Sequence, residues 1–186
     1  VIEYLEGDVR VNGGVAHLGQ RVAVGDWVQT GPRGAVDVVF DRVNIFRLGS
    51  NTVAVLSIGE RSQQVDLKHG SMAAVFDRVR TLAGRGTFDV RTPTGVGGVR
   101  GTAFFFRVLD RDTTYVCTCN GTLELDPFHN DSFLESAAEH SAYYFRTADD
   151  GGVTVEDGGL LYHDNEGLNR LAGEIGVTIP WGELPE

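Results

Sequence analysis

The sequence predicts an all-β protein, a solenoid-like or stacked β-sandwich of short strands with a short C-terminal helix. Three observations carry that expectation. Short alternating runs of apolar and polar residues, bounded by Gly or Asn, recur about every ten residues from Val1 to about Leu125, the spacing of a sandwich, a barrel or a solenoid. Glycine is abundant at 25 residues and proline scarce at 5, a balance that favours tight turns between strands. The pentapeptide Val39-Phe40-Asp41-Arg42-Val43 returns as Val75-Phe76-Asp77-Arg78-Val79, and such repetition favours stacked layers over a closed barrel.

Taken in order, Ile2 to Val11 alternates and meets Asn12-Gly13-Gly14, a hairpin signal. Strands are predicted at Arg21 to Val24, at Asp26 to Thr30 and, after the turn Gly31-Pro32-Arg33-Gly34, at Ala35 to Phe40. Others follow at Asn44 to Arg47, Thr52 to Ser57, Gln64 to Lys68, Ser71 to Phe76, Thr87 to Thr92, Thr102 to Leu109 and Thr114 to Glu124. Between Phe88 and Val108 the expectation is a strand ending at Thr92-Pro93 and a turn in which Gly95, Gly97 and Gly98 take positive φ. A new strand then opens at Val99-Arg100-Gly101-Thr102. This glycine-rich stretch fits no phosphate-binding pattern and precedes no helix, so its reading is structural.

The last third changes character. Residues 132–145 pair a capping-box start, Ser132 and Glu135, with an aromatic end, and a strand is expected from Ser141 to Arg146. Asp149-Asp150-Gly151-Gly152 and Glu156-Asp157-Gly158-Gly159 read as acidic turns around Val153-Thr154-Val155, without the spacing of a helix-loop-helix calcium site. Leu168, Leu171 and Ile175 form the stripe of a short amphipathic helix capped by Asp164 or Asn165 and ended by Gly176. Val177 to Trp181 then reads as extended chain that docks Trp181 back onto the body. The division expected is a β-domain over residues 1–148 and an acidic C-terminal extension over residues 149–186, its hairpin and helix packed on that domain.

Charge narrows the function. Residues 1–119 carry 14 basic and 12 acidic side chains, whereas residues 120–186 carry 2 basic and 14 acidic. Such a surface repels phosphate backbones, so no nucleic-acid partner is expected. No run of about 18 apolar residues is present, so no membrane insertion is expected either. The chain starts at Val1 without an initiator Met, as in a processed or a trimmed chain, and with processing by signal cleavage a periplasmic or extracellular address is expected.

Gly7-Asp8-Val9, Gly25-Asp26-Trp27-Val28-Gln29-Thr30-Gly31, the Ala35 to Phe40 run, Leu67 with Gly70, and above all Thr92-Pro93-Thr94-Gly95 leading to Val99-Arg100-Gly101-Thr102-Ala103-Phe104 carry a resemblance. With Val116 and Gly121 to Leu125 they make residues 1–148 similar to the FecR-like domain, a bacterial cell-envelope module. The resemblance implies an all-β, solenoid-like stack. It also implies a place in envelope signalling, since the best-known members relay signals from outer-membrane iron transporters to a sigma factor, although this chain shows neither a membrane helix nor an anti-sigma segment.

The only two cysteines, Cys117 and Cys119, stand one residue apart in a predicted strand. Side chains at i and i+2 share a face, so both sulfurs point one way from backbone positions about 7 Å apart. Three fates stay open: a metal site, a disulfide that needs a kinked strand, or two buried thiols. Two thiolates leave a tetrahedral site half filled. His140, before a predicted strand, and His163, before the helix, would complete a Cys2His2 set suited to zinc or copper and, after those, to a small iron centre. Some FecR-like sequences resemble this one in pairing a Cys-x-Cys strand with downstream histidines. His17, His69 and His129 fall in turn-like contexts and are expected to be exposed. No catalytic signature is present, so the chain is read as non-enzymatic. The function expected is a metal-binding FecR-like module with a structural site. A subunit of an extracellular filament or envelope assembly, and a sigma-regulator-like signalling module, are the alternatives, and a protein partner or self-association is expected.

Overall fold

The computed structural model describes residues 1–59, 63–77, 88–100 and 103–184. Among the described residues are fifteen strands, in chain order β1 (Ile2–Glu6), β2 (Val9–Val11), β3 (Gly14–Val15), β4 (Asp26–Thr30), β5 (Ala35–Phe40), β6 (Asn44–Leu48), β7 (Val53–Ile58), β8 (Gln63–Phe76), β9 (Phe88–Arg91), β10 (Gly95–Val99), β11 (Ala103–Asp110), β12 (Thr113–Pro127), β13 (Phe133–Ala137), β14 (Ser141–Thr147) and β15 (Val153–Asp157), and one helix, α1 (Asn165–Gly173). Arg78 and Val79 of the repeated pentapeptide, Thr87, and the Gly101-Thr102 pair lie outside the described residues.

The strands form two layers. One runs β1-β5-β6-β8-β11-β12-β14-β15. The other runs β3-β2-β4-β7-β8-β9-β10-β12-β13. Every pairing is antiparallel except β8 with β9. Alternation along the strands turns Val36, Val38, Phe46, Met72, Phe104 and Phe106 of the first layer toward Val28, Leu56, Val65, Phe88, Val90 and Leu123 of the second. The result is a sandwich core with aromatic edges in contact, as between Phe76 and Phe88 at 4.7 Å.

Strands β8 and β12 belong to both layers, so the expectation of short strands fails for them. Residues 63–69 of β8 pair in the second layer and residues 70–76 in the first. The separate strands expected at Gln64 to Lys68 and Ser71 to Phe76 are therefore one. Gly70 bends this strand without ending it: its φ is +85°, and a Cβ there would lie 2.5 Å from Thr52 Cα. In β12, residues 113–120 pair in the first layer and residues 121–127 in the second, with a bend at Gly121.

Three further expectations change. Ile2 to Val11 is two strands, split at Gly7 with φ 66°, and β1 and β2 pair inside their own fold with β5 and β4. Arg21 to Val24 forms no strand: Ala23 N donates to Asp26 Oδ2 and Ala23 O accepts from Asp26 N, so the backbone here closes a turn. Gly95, Gly97 and Gly98 lie in β10 rather than in a turn with positive φ. The tight turn is Thr92 to Gly95, where Thr92 N and Oγ1 both donate to Gly95 O. Gly97 is needed for close approach, since a Cβ would meet Phe106 Cζ at 2.4 Å.

The first layer has a second apolar face. Ile45, Val75, Ala103, Phe105, Tyr115, Cys117 and Cys119 point away from the sandwich core and are covered by Leu168, Leu171, Ala172 and Ile179 from the C-terminal segment. Helix α1 thus docks by its stripe, as its spacing predicts. Asp164 is the cap, accepting from Gly167 N, and the last turn beyond the helix closes at Gly176 with φ 70°. Asn120, fully buried, anchors the far end of this segment, its two Nδ2 protons shared among Pro180 O, Glu183 O and Ala138 O.

Candidate metal centre

Cys117 and Cys119 sit in β12 just before its bend, on the face turned to the C-terminal segment, and both are fully buried. His140 ends the turn from β13 to β14, with its backbone N donating to Cys119 O, and His163 ends the irregular stretch before α1. All four predicted residues come together. One donor atom from each lies within 4.8 Å of the others. Cys117 Sγ is 3.5 Å from Cys119 Sγ and 3.5 Å from His140 Nδ1, and Cys119 Sγ is 3.2 Å from His163 Nε2. A tetrahedral ion with the usual zinc bond lengths has donor-donor edges of about 3.3 to 3.8 Å, so these contacts have the size of a single ion, and the widest pair exceeds it by about 1 Å. A two-iron cluster of the Rieske type would hold the two cysteines on one iron and the two histidines on the other, and so asks for wider sulfur-nitrogen separations than these.

The ring orientations are set from behind. His163 Nδ1 lies 2.8 Å from Leu161 O; a carbonyl only accepts, so Nδ1 carries the proton and Nε2 faces Cys119 with its lone pair. His140 Nε2 meets Asn165 Oδ1, and the Asn165 amide is oriented by its Nδ2, which donates to Glu139 Oε1. His140 Nε2 is therefore a donor and Nδ1 is turned to Cys117. An oxygen behind each imidazole is the arrangement that fixes metal-ligating histidines. Aromatic rings wall the site: Phe105 stacks on His163 at 4.3 Å and Trp181 on His140 at 5.2 Å.

The charges of the protein-only site are uneven. The hydrogen bond from Cys119, opposed by burial and helped by His140 and His163, holds Cys117 well below the ordinary thiol range. Burial pushes Cys119 the other way. Burial opposes the His140 cation, yet hydrogen bonding with Cys117 and Asn165 outweighs it and raises the His140 pKa. The two sulfurs are thus shifted in opposite directions within one apolar pocket, where a divalent cation would displace their protons and compensate the buried negative charge.

The model of the family described as FecR protein matches residues 26–124, more than half of the chain. The chain belongs to the FecR family. Two crystal structures of a candidate anti-sigma factor from Parabacteroides distasonis ATCC 8503 share the FecR fold seen here. Each has a TM-score of 0.55 and 14% identity over 70% of this chain. The alignment spans 59% of that protein's length. No curated protein matches the sequence. Within this FecR chain, Cys117 and Cys119 lie inside the matched segment and His140 and His163 beyond it, so the cluster joins the family body to the C-terminal part of the chain.

His17, His69 and His129 are exposed as expected, although His69 lies within β8, paired with Val53, rather than in a turn. Sequence reasoning did not reach Asn165 or Leu161 O as partners of the two histidines, nor Trp181 and Phe105 as their stacking neighbours. The signal available for Asn165 was its place beside the cap: with Asp164 capping, the adjacent polar side chain is free to turn toward the site. Among the described residues, no helix is long and apolar enough to cross a membrane.

Proposed function

We propose that this chain is a non-enzymatic cell-envelope FecR module, periplasmic or extracellular, in which Cys117, Cys119, His140 and His163 hold one transition-metal ion as a structural fastening. The convergence of the four donor atoms within 4.8 Å, with the remote nitrogen of each histidine engaged by an oxygen, is the observation that carries this reading. Four protein donors leave no position for substrate, the pattern of a structural rather than a catalytic centre. Two sulfurs and two imidazoles suit zinc first, and copper next. The fastening holds the segment from His163 to Trp181 against the first layer. Protein purified natively, without added metal, is expected to contain about one equivalent of a transition metal by elemental analysis. Less than about 0.2 equivalents with both thiols oxidised overturns the reading.

A second reading concerns the partner. Membership of the FecR family and the fold shared with a candidate anti-sigma factor support a signalling role exercised through a protein partner. Recovery of a sigma-regulating protein or a receptor segment in a pull-down supports this role. A second copy as the partner would instead support assembly.

A further inference from the structure

The strand that carries the two cysteines departs from regular pairing at this point. Ala103 of β11 pairs with Asn120 and the next residue, Phe104, pairs with Thr118, so Cys119 is the extra residue of a β-bulge. A bulge kinks its strand locally, which brings Cys117 Sγ and Cys119 Sγ to 3.5 Å on backbone positions that a flat strand would hold at the upper limit for bridging. The chain holds no other cysteine, so one intrachain bond is available. Both sulfurs are fully buried, which selects a small oxidant over a bulky disulfide.

From this geometry we propose that Cys117 and Cys119 form a redox modification site, converted by a hydroperoxide to an intrachain disulfide that cannot coexist with the bound metal. The inference rests on the metal reading for its exclusivity and on the bulge for its chemistry. One thiolate attacks a peroxide oxygen; the O–O bond breaks, a sulfenic acid forms, and the departing oxygen takes a proton to become alcohol or water. The second thiolate attacks the sulfenic sulfur; the S–S bond forms and hydroxide leaves, protonated to water. Two thiolates are oxidised by two electrons, one peroxide is reduced, and two protons are consumed. The metal loses two of its four donors and departs.

Zinc-loaded protein treated with hydrogen peroxide, with a chromogenic zinc indicator present, tests this, alongside the same treatment of metal-free protein. The expected result is one zinc released per molecule, an intact mass lower by two hydrogens, a peptide map joining Cys117 to Cys119, and recovery of zinc binding after dithiothreitol. Cys119→Ser is expected to lose the two-hydrogen product. Sulfinic or sulfonic acids as the main products, disulfide-linked dimers, or zinc retained with both thiols unreacted each overturn the proposal. If the metal reading alone fails, no zinc loads but the metal-free protein still forms the intrachain bond. If the redox proposal alone fails, zinc loads and that bond is missing from both samples.

Discussion

His140 and His163 present different nitrogens to the sulfurs, Nδ1 in one case and Nε2 in the other, and in each the choice follows from the oxygen behind the ring. The Leu161 carbonyl comes from backbone and no substitution of a side chain removes it. Asn165 is a side chain, so it can be tested. Asn165→Ala keeps all four donors but frees His140 to rotate, and metal affinity is expected to fall about 10-fold to 100-fold, measured by competition with a chelator of known affinity; unchanged affinity would leave Asn165 with only a place in the first turn of α1. At this scale the candidate donors were legible because period two puts Cys117 and Cys119 on one face, and because histidines beside predicted turns are able to swing inward. The partners were not legible. Tautomer control depends on a carbonyl and an amide brought from distant parts of the chain, and spacing carries no trace of either.

Strand β12, helix α1 and the chain beyond it form a closed circuit at the level of elements. The path leaves the sheet at His163, passes through the buried stripe of Leu168 and Leu171, and returns through Trp181, whose ring stacks on His140 at 5.2 Å while its Nε1 donates to Asn169 Oδ1. Trp27, the other tryptophan, is 47% exposed on β4 in the opposite layer. Removing metal with a chelator is therefore expected to change the emission of Trp181 and not that of Trp27. In practice the change should vanish in Trp181→Phe and persist in Trp27→Phe; the reverse pattern would place the metal elsewhere. The stripe and the return of Trp181 were readable from apolar spacing. The continuity of β8 was not, since a glycine between two alternating runs ordinarily marks a turn, and only the crowding of Gly70 against Thr52 shows that it marks a bend.

At the scale of the molecule, two apolar cores among the described residues lie on opposite faces of one layer. The sandwich core is enclosed by two layers of strands joined through β8 and β12, whereas the second is enclosed by a single segment held at Asn120 and, on the proposed reading, at the Cys117, Cys119, His140 and His163 cluster. Such an arrangement predicts stepwise loosening, with the less enclosed unit opening first. In hydrogen exchange, the chelated protein is expected to lose protection over α1 while β8 and β11 keep theirs; simultaneous loss would mean one cooperative unit. The all-β class was readable in the sequence because short alternating runs bounded by Gly or Asn recur along most of the chain. The second core was hidden, because residues such as Phe105 and Tyr115 alternate with equally apolar neighbours that face the sandwich, and a strand buried on both faces has no polar side to reveal it.

The division of the four donors has a consequence in terms of inheritance. Two stand inside the segment that defines the family and two stand outside it. A relative that lost the stretch from His140 onward would be left with two thiols on an uncovered sheet face, and one that lost the cysteines would be left with a strap held by apolar contact alone. If the four hold one ion as proposed, the cysteine pair and the histidines are expected to be kept or lost together among relatives, which an alignment of FecR chains carrying a Cys-x-Cys strand would check.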